Sequence, residues 1–176
     1  MQKIVLCPGL ILAARADPSM PASRQDMFSG TVWTLAHESG HSIDFGGFPA
    51  QHQALLSCVQ DQYIRTGVLA GFAGVSEGSP EWTAKIEGHM EEIAADNWAN
   101  ETLAGLIEAQ PNHEQAFALL RDSAIGLCGY RDDGVRYGSD QFRIGMLMGR
   151  NPRIRQALGC APLTSAQSVC VFEGKR

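Results

Sequence analysis

Two histidines four residues apart, with a glutamate beside the first, mark the stretch His37-Glu38-Ser39-Gly40-His41. On an α-helix, residues i and i+4 share a face, with Cβ atoms roughly 5–6 Å apart. Two imidazoles so placed can each turn a nitrogen toward one Zn²⁺, which takes histidine nitrogen at about 2.0–2.1 Å. Glu38 leans over the same face without being needed as a ligand. Its carboxylate is then free to act as general base on water activated at the metal. The pattern alone is short, and a histidine pair on a solvated helix face does no chemistry.

A zinc ion held by two histidines needs at least one more protein ligand, with a position left open in a catalytic site. Downstream, Glu92-Ile93-Ala94-Ala95-Asp96 again sets two carboxylates four apart on one helical face. Glu92 as ligand, with Asp96 accepting from a ligand histidine and so fixing its tautomer, makes the better-formed set. Glu87, Glu91 and His89 compete for the third position, and His89 lies three residues before Glu92, so both could face the site. The bland alternative for Glu92 is the solvated face on which most helical glutamates sit.

The elements that must carry these residues read as helices. Val32, Leu35, Ala36 and Ile43 give residues 31–44 an apolar face, with Ser29-Gly30 as its start. Gly40 lowers helix propensity there and calls for a packing or access reason. Phe45-Gly46-Gly47-Phe48-Pro49 stops the helix. Residues 51–65 read as a second helix, with Leu55, Leu56, Val59, Tyr63 and Ile64 near one face, and residues 67–78 as a glycine-rich loop. Ser79-Pro80-Glu81 is a helix start, with serine as N-cap and proline in the first helical position. That helix runs to about residue 107, with Ile86, Met90, Ile93, Ala94, Trp98 and Leu106 apolar. Pro111 begins another helix to about residue 127, Ser139 caps one through residue 148, and Asn151-Pro152 opens one ending at Gly159.

At the N-terminal end, residues 3–6 read as a short β-strand followed by loop. The stretch has the outline of a signal peptide, but Pro8-Gly9 cuts its apolar run and Arg15 sits where small neutral residues are wanted. The expected class is mainly α with a little β, in one domain over residues 1–176. A net charge of −5 without a Lys/Arg cluster argues against nucleic acid or an anionic membrane as partner. No apolar run has the length a membrane helix needs. Asn100-Glu101-Thr102 is a glycosylation sequon placed on a helix, which marks it as coincidence. His52 and His113 read as surface residues, and Trp33, Trp82 and Trp98 as core.

With these residues in hand, the chain resembles the neprilysin-like zinc endopeptidases, gluzincins with a thermolysin-type catalytic core. Residues 2–11 are similar to that family's strand and Pro-Gly segment before the active helix. His37-Glu38-Ser39-Gly40-His41-Ser42-Ile43-Asp44 matches its H-E-x-x-H-x-F-D run, with Ile43 for phenylalanine. Cys58-Val59-Gln60-Asp61-Gln62-Tyr63 resembles its C-x-x-x-Q-Y, and Glu92-Ile93-Ala94-Ala95-Asp96-Asn97 its E-N-I-A-D-N, with Ala94 and Ala95 shifting the interior. Ser139-Asp140-Gln141-Phe142-Arg143-Ile144, Ala157-Leu158-Gly159-Cys160 and Val169-Cys170-Val171-Phe172 follow in the family's order.

The resemblance implies a thermolysin-like zincin core with a C-terminal helical lobe, one Zn²⁺ on His37, His41 and Glu92, and hydrolysis of internal bonds of oligopeptides. It implies Glu38 as general base, Asp96 as the residue orienting a ligand histidine, and Asp44 as a weaker candidate for the same task. Arg143 would bond a substrate carbonyl, which suits the guanidinium's planar donors. Tyr137 stands where the family carries its transition-state histidine; a phenol can donate to an oxyanion but cannot carry an imidazolium's charge. The family's large helical lobe and its substrate-pairing strand have no counterpart here. The chain is therefore expected to be the C-terminal part of a longer enzyme, completed by an N-terminal domain or partner chain, or a minimal relative with an open site.

The resemblance also pairs Cys58 with Cys170, a bridge worth about 4–5 kcal/mol in the chain-entropy model. Cys128 and Cys160 would pair with each other or stay free, and Cys7 is unassigned. Disulfides imply an extracytoplasmic location, and five reduced thiols in the cytosol are the alternative. Two other functions stay open: a zinc-holding remnant that binds peptides or partners, and a zinc hydrolase or lyase working on a small substrate.

Overall fold

The structure, a computed structural model, describes residues 24–41, 53–54, 57–58, 76, 78–128 and 141–164. These residues are mostly helical, and none of them forms a strand. The expected strand at residues 3–6 lies outside the described residues, as do Asp44, Tyr137 and Ser139. Gln53, Ala54, Ser57 and Cys58 are helical, in line with the helix expected there.

The long helix is the axis of the molecule. This long helix is α2, Pro80–Glu108, and α1 is the earlier helix Arg24–His41. The start of α2 is the one its sequence announces, since Ser79 caps it by accepting from Trp82 N at 3.1 Å and Pro80 occupies the first helical position. Ile93, Ala94, Ala95, Asp96 and Asn97 are buried in succession, so this helix is covered on more than one side. Its neighbours are α1, then α3 (His113–Ile125), a π-helical segment Gln141–Met148, and α4 (Pro152–Ala157). The core they share holds Trp33, Leu103, Ile107, Leu119, Leu127, Met148 and Ile154, with Ala99, Ala104 and Ala116 allowing close approach.

Several boundaries depart from the sequence reading. Helix α1 begins at Arg24, so Ser29-Gly30 lies inside it; Gly30 is buried and its carbonyl accepts from Thr34 Oγ1 at 2.9 Å. Tertiary burial overrides the low propensity of Gly30. The cap of α3 is Asn112, which accepts from Gln115 N at 3.0 Å, and Pro111 stays outside. The segment expected as an ordinary helix through residue 148 is π-wound, closing with Gly149 N on Ile144 O at 2.7 Å. A Cβ at Gly149 would lie 3.1 Å from that carbonyl, so glycine suits the end of the wider turn. Asn151 opens α4 as expected, accepting from Arg153 N and Ile154 N. Gly159, at φ +65°, ends it, with Cys160 N on Arg155 O and Gly159 N on Gln156 O as in a Schellman motif.

Two side chains of α4 and its cap hold it to α2. Asn151 Nδ2 donates to Glu101 Oε1 at 2.8 Å, and Arg153 pairs with Glu101 at 2.8 Å and Glu108 at 2.6 Å. No helix among the described residues is long and apolar enough to cross a membrane.

Candidate metal centre

Helices α1 and α2 run antiparallel and meet along a ladder with a four-residue step. Trp33 faces Asn100, His37 faces Asp96, and His41 faces Glu92, each turn forward on α1 matching a turn back on α2. Gly40 allows this approach. A Cβ there would lie 2.9 Å from Ala95 Cα and 3.3 Å from Trp98 Cβ, and the first of these is backbone that cannot swing aside. The glycine that weakens the helix locally therefore has a packing reason.

At the lower rungs three electron-pair donors converge. His37 Nε2 is 3.2 Å from His41 Nε2 and 3.2 Å from Glu92 Oε2, and His41 Nε2 is 3.3 Å from the same oxygen. Ligands about 2.0–2.1 Å from a tetrahedral ion are separated from one another by roughly 3.3–3.4 Å, so the three atoms stand as three corners around one ion would. Glu92 Oε2 is buried with the two ring nitrogens as its neighbours, so its charge is met either by a protonated His37 or by a bound cation. A buried, unsatisfied carboxylate oxygen is costly unless a cation meets it. The group His37, His41 and Glu92 can hold a metal ion. Of the competing candidates, His89 is 2% exposed and Glu91 is exposed; neither belongs to this group.

The remaining contacts orient His37. His37 Nδ1 lies 2.8 Å from Asp96 Oδ1. An ionised carboxylate only accepts, so Nδ1 carries a hydrogen in either protonation state, and Nε2, once it gives up its own proton, has its lone pair free for a metal ion. Asp96 is kept ionised from behind by Arg143, whose Nε and Nη2 donate to Oδ2 and Oδ1 at 2.7 Å each. Burial pushes the Asp96 pKa up, but the Arg143 hydrogen bonds, then His37, outweigh it and hold the carboxyl below the usual carboxylate range. Burial works to lower the His37 pKa, yet the carboxylates of Asp96 and Glu92 together raise it to about 9 without metal.

Glu38 is exposed, one residue past His37. Arg143 is 5% exposed, and its bonds to Asp96 place it behind His37. Two participants escaped the reading of the sequence. Asn100, one turn beyond Asp96, and Trp33, one turn before His37, extend the same four-residue step; that spacing was the available signal. No protein-family model, curated protein or solved structure matches the chain. The chemistry of the site is then a matter of its own atoms.

Elsewhere, Cys58 is disulfide-bonded, with its partner outside the described residues, and Cys128 and Cys160 are exposed free thiols. Asn100 is 1% exposed and accepts from Trp33, so the folded chain cannot be glycosylated there. Trp33 and Trp82 are core residues and His113 is on the surface, as expected.

Proposed function

We propose that the chain is a zinc-dependent metallopeptidase of neprilysin-like, thermolysin-type design that hydrolyses internal bonds of oligopeptides. The observation that carries the reading is the triangle of His37 Nε2, His41 Nε2 and Glu92 Oε2, with 3.2–3.3 Å sides around one buried carboxylate oxygen. Two imidazoles and one carboxylate form the donor set that suits zinc in hydrolytic sites, with a fourth position open. Lewis acidity is what Zn²⁺ supplies when bound there, acidifying water and polarising a peptide carbonyl.

The chain's own residues do the rest. Glu38, exposed beside His37, takes the proton from the attacking water and passes it to the leaving nitrogen. Asp96 accepts from His37 Nδ1, holding the ring and its tautomer, and Arg143 keeps Asp96 charged and in place. Tyr137 as oxyanion donor and the Cys58–Cys170 bridge belong to this proposal through the family resemblance. The Cys58 disulfide supports an extracytoplasmic location.

One observation favours a second reading, a metal-holding protein that binds peptides or partners without cleaving them. Arg143, which the resemblance assigns to substrate, is buried and spends Nε and Nη2 on Asp96. Zinc content followed by digestion of a mixed peptide library separates the two. Cleavage that chelators stop, and that Glu38→Gln lowers by about 10²-fold or more with zinc still bound, supports the peptidase. Bound zinc without cleavage selects the second reading.

A further inference from the structure

Asp96 holds one edge of the His37 ring; the face of that ring is held by something else. Trp33 lies one turn earlier on α1, its ring 5.5 Å from that of His37 and 23° from parallel. Its Nε1 donates to Asn100 Oδ1 at 3.0 Å, between two buried side chains. An indole N–H can only donate, which sets the orientation of the amide. The guanidinium carbon of Arg143 sits 5.4 Å from the centre of the Trp33 ring. Four side chains thus close a circuit: His37 on Asp96, Asp96 on Arg143, Arg143 on Trp33, and Trp33 back on His37.

We propose that Trp33 is a positioning residue of the metal site, its indole fixing the plane of the His37 imidazole and Asn100 tethering that indole to the helix that supplies Glu92. The inference rests on the reading of His37, His41 and Glu92 as metal ligands. A single bond from Nδ1 leaves an imidazole free to rock about the axis of that bond, which swings Nε2 away from its neighbours. Contact across the ring face removes that freedom, and offset stacking is favourable in itself. The tether matters because Asn100 and Glu92 share α2, so ring plane and third ligand are set in one frame.

The test uses the full chain with Zn²⁺ alone as probe, its affinity read by competition with a chromophoric chelator, and Co²⁺ in its place for the visible spectrum. Trp33→Leu should weaken zinc binding about tenfold or more and reduce the intense bands of four-coordinate Co²⁺. Trp33→Phe keeps a flat ring and should stay within about threefold of wild type. Trp82→Leu, which removes a tryptophan of similar burial at the far end of α2, should lower Tm without changing either metal readout. Wild-type affinity and spectrum in Trp33→Leu, or an equal loss of metal in Trp82→Leu, would overturn the proposal. Should Trp33→Leu not fold, Asn100→Ser decides, with a severalfold loss of zinc affinity expected and unchanged affinity contradicting it. A wild-type chain that binds no Zn²⁺ at all would instead remove the ligand reading itself.

Discussion

Asp96 makes three short contacts with two oxygens, one to His37 and two to Arg143, in a setting only 2% exposed. Asp96→Ala is therefore expected to weaken zinc binding by about 10–100-fold in a chelator competition, and unchanged affinity would remove it from the site. The pKa shifts set a pH dependence with a definite sign. Asp96 is depressed, so its stabilisation is present above the ordinary carboxylate value and is lost as pH falls through the lower, folded one. His37 is raised, so in the metal-free chain its stabilisation is complete below about 6.5 and is lost as pH climbs through about 9. Zinc must displace the His37 proton, so loading at pH 7 should release about one proton, measurable by calorimetry in buffers of different ionisation enthalpy. No proton release would contradict the raised value. The meeting of His37, His41 and Glu92 as a group able to hold an ion, with Asp96 beside it, was legible because i, i+4 spacing is a local property of a helix. The Arg143 clamp was not, since a pair 47 residues apart depends on how the π-wound segment packs.

At the scale of elements, the close approach of α1 and α2 at Gly40 makes the site possible. Gly40→Ala gains about 1 kcal/mol of helix propensity but drives a Cβ into Ala95. Overpacking typically costs about 1–3 kcal/mol, so urea unfolding should show a net loss of stability, with weaker metal binding as the ladder spreads. A variant more stable than wild type would show that the helices can part without cost. Asn151→Ala should cost about 1 kcal/mol or more, because it removes the α4 cap and the bond to Glu101 together. The starts of α2 and α4 were readable because Ser79-Pro80 and Asn151-Pro152 act through their own backbone neighbours. The start of α1 was misplaced because burial, which the sequence does not display, carries the helix through Gly30. The π-winding of Gln141–Met148 was also hidden; its trace in the sequence is Gly149, where a Cβ would crowd Ile144 O.

On the scale of the whole molecule, α2 is the common wall of every described element, and the ladder joins its middle to α1. An ion gripped from both helices would cross-link them, so metal and fold should be coupled. At a free zinc level a hundred times Kd, binding adds about 2.7 kcal/mol, and chelation should lower Tm by roughly 5–11 °C. A chelator that leaves Tm unchanged would mean the helices hold their places without help. Mainly helical character could be read from periodicity and caps, whereas the thermolysin-like arrangement is a long-range property and remains part of the proposal. The most direct test of the central claim is zinc K-edge X-ray absorption on the purified chain loaded with one equivalent of zinc. The expected spectrum shows only nitrogen and oxygen neighbours at about 2.0–2.2 Å, with the outer-shell scattering of two imidazoles. A sulfur shell at about 2.3 Å, or fewer than two imidazoles, would place the ion elsewhere and contradict the account.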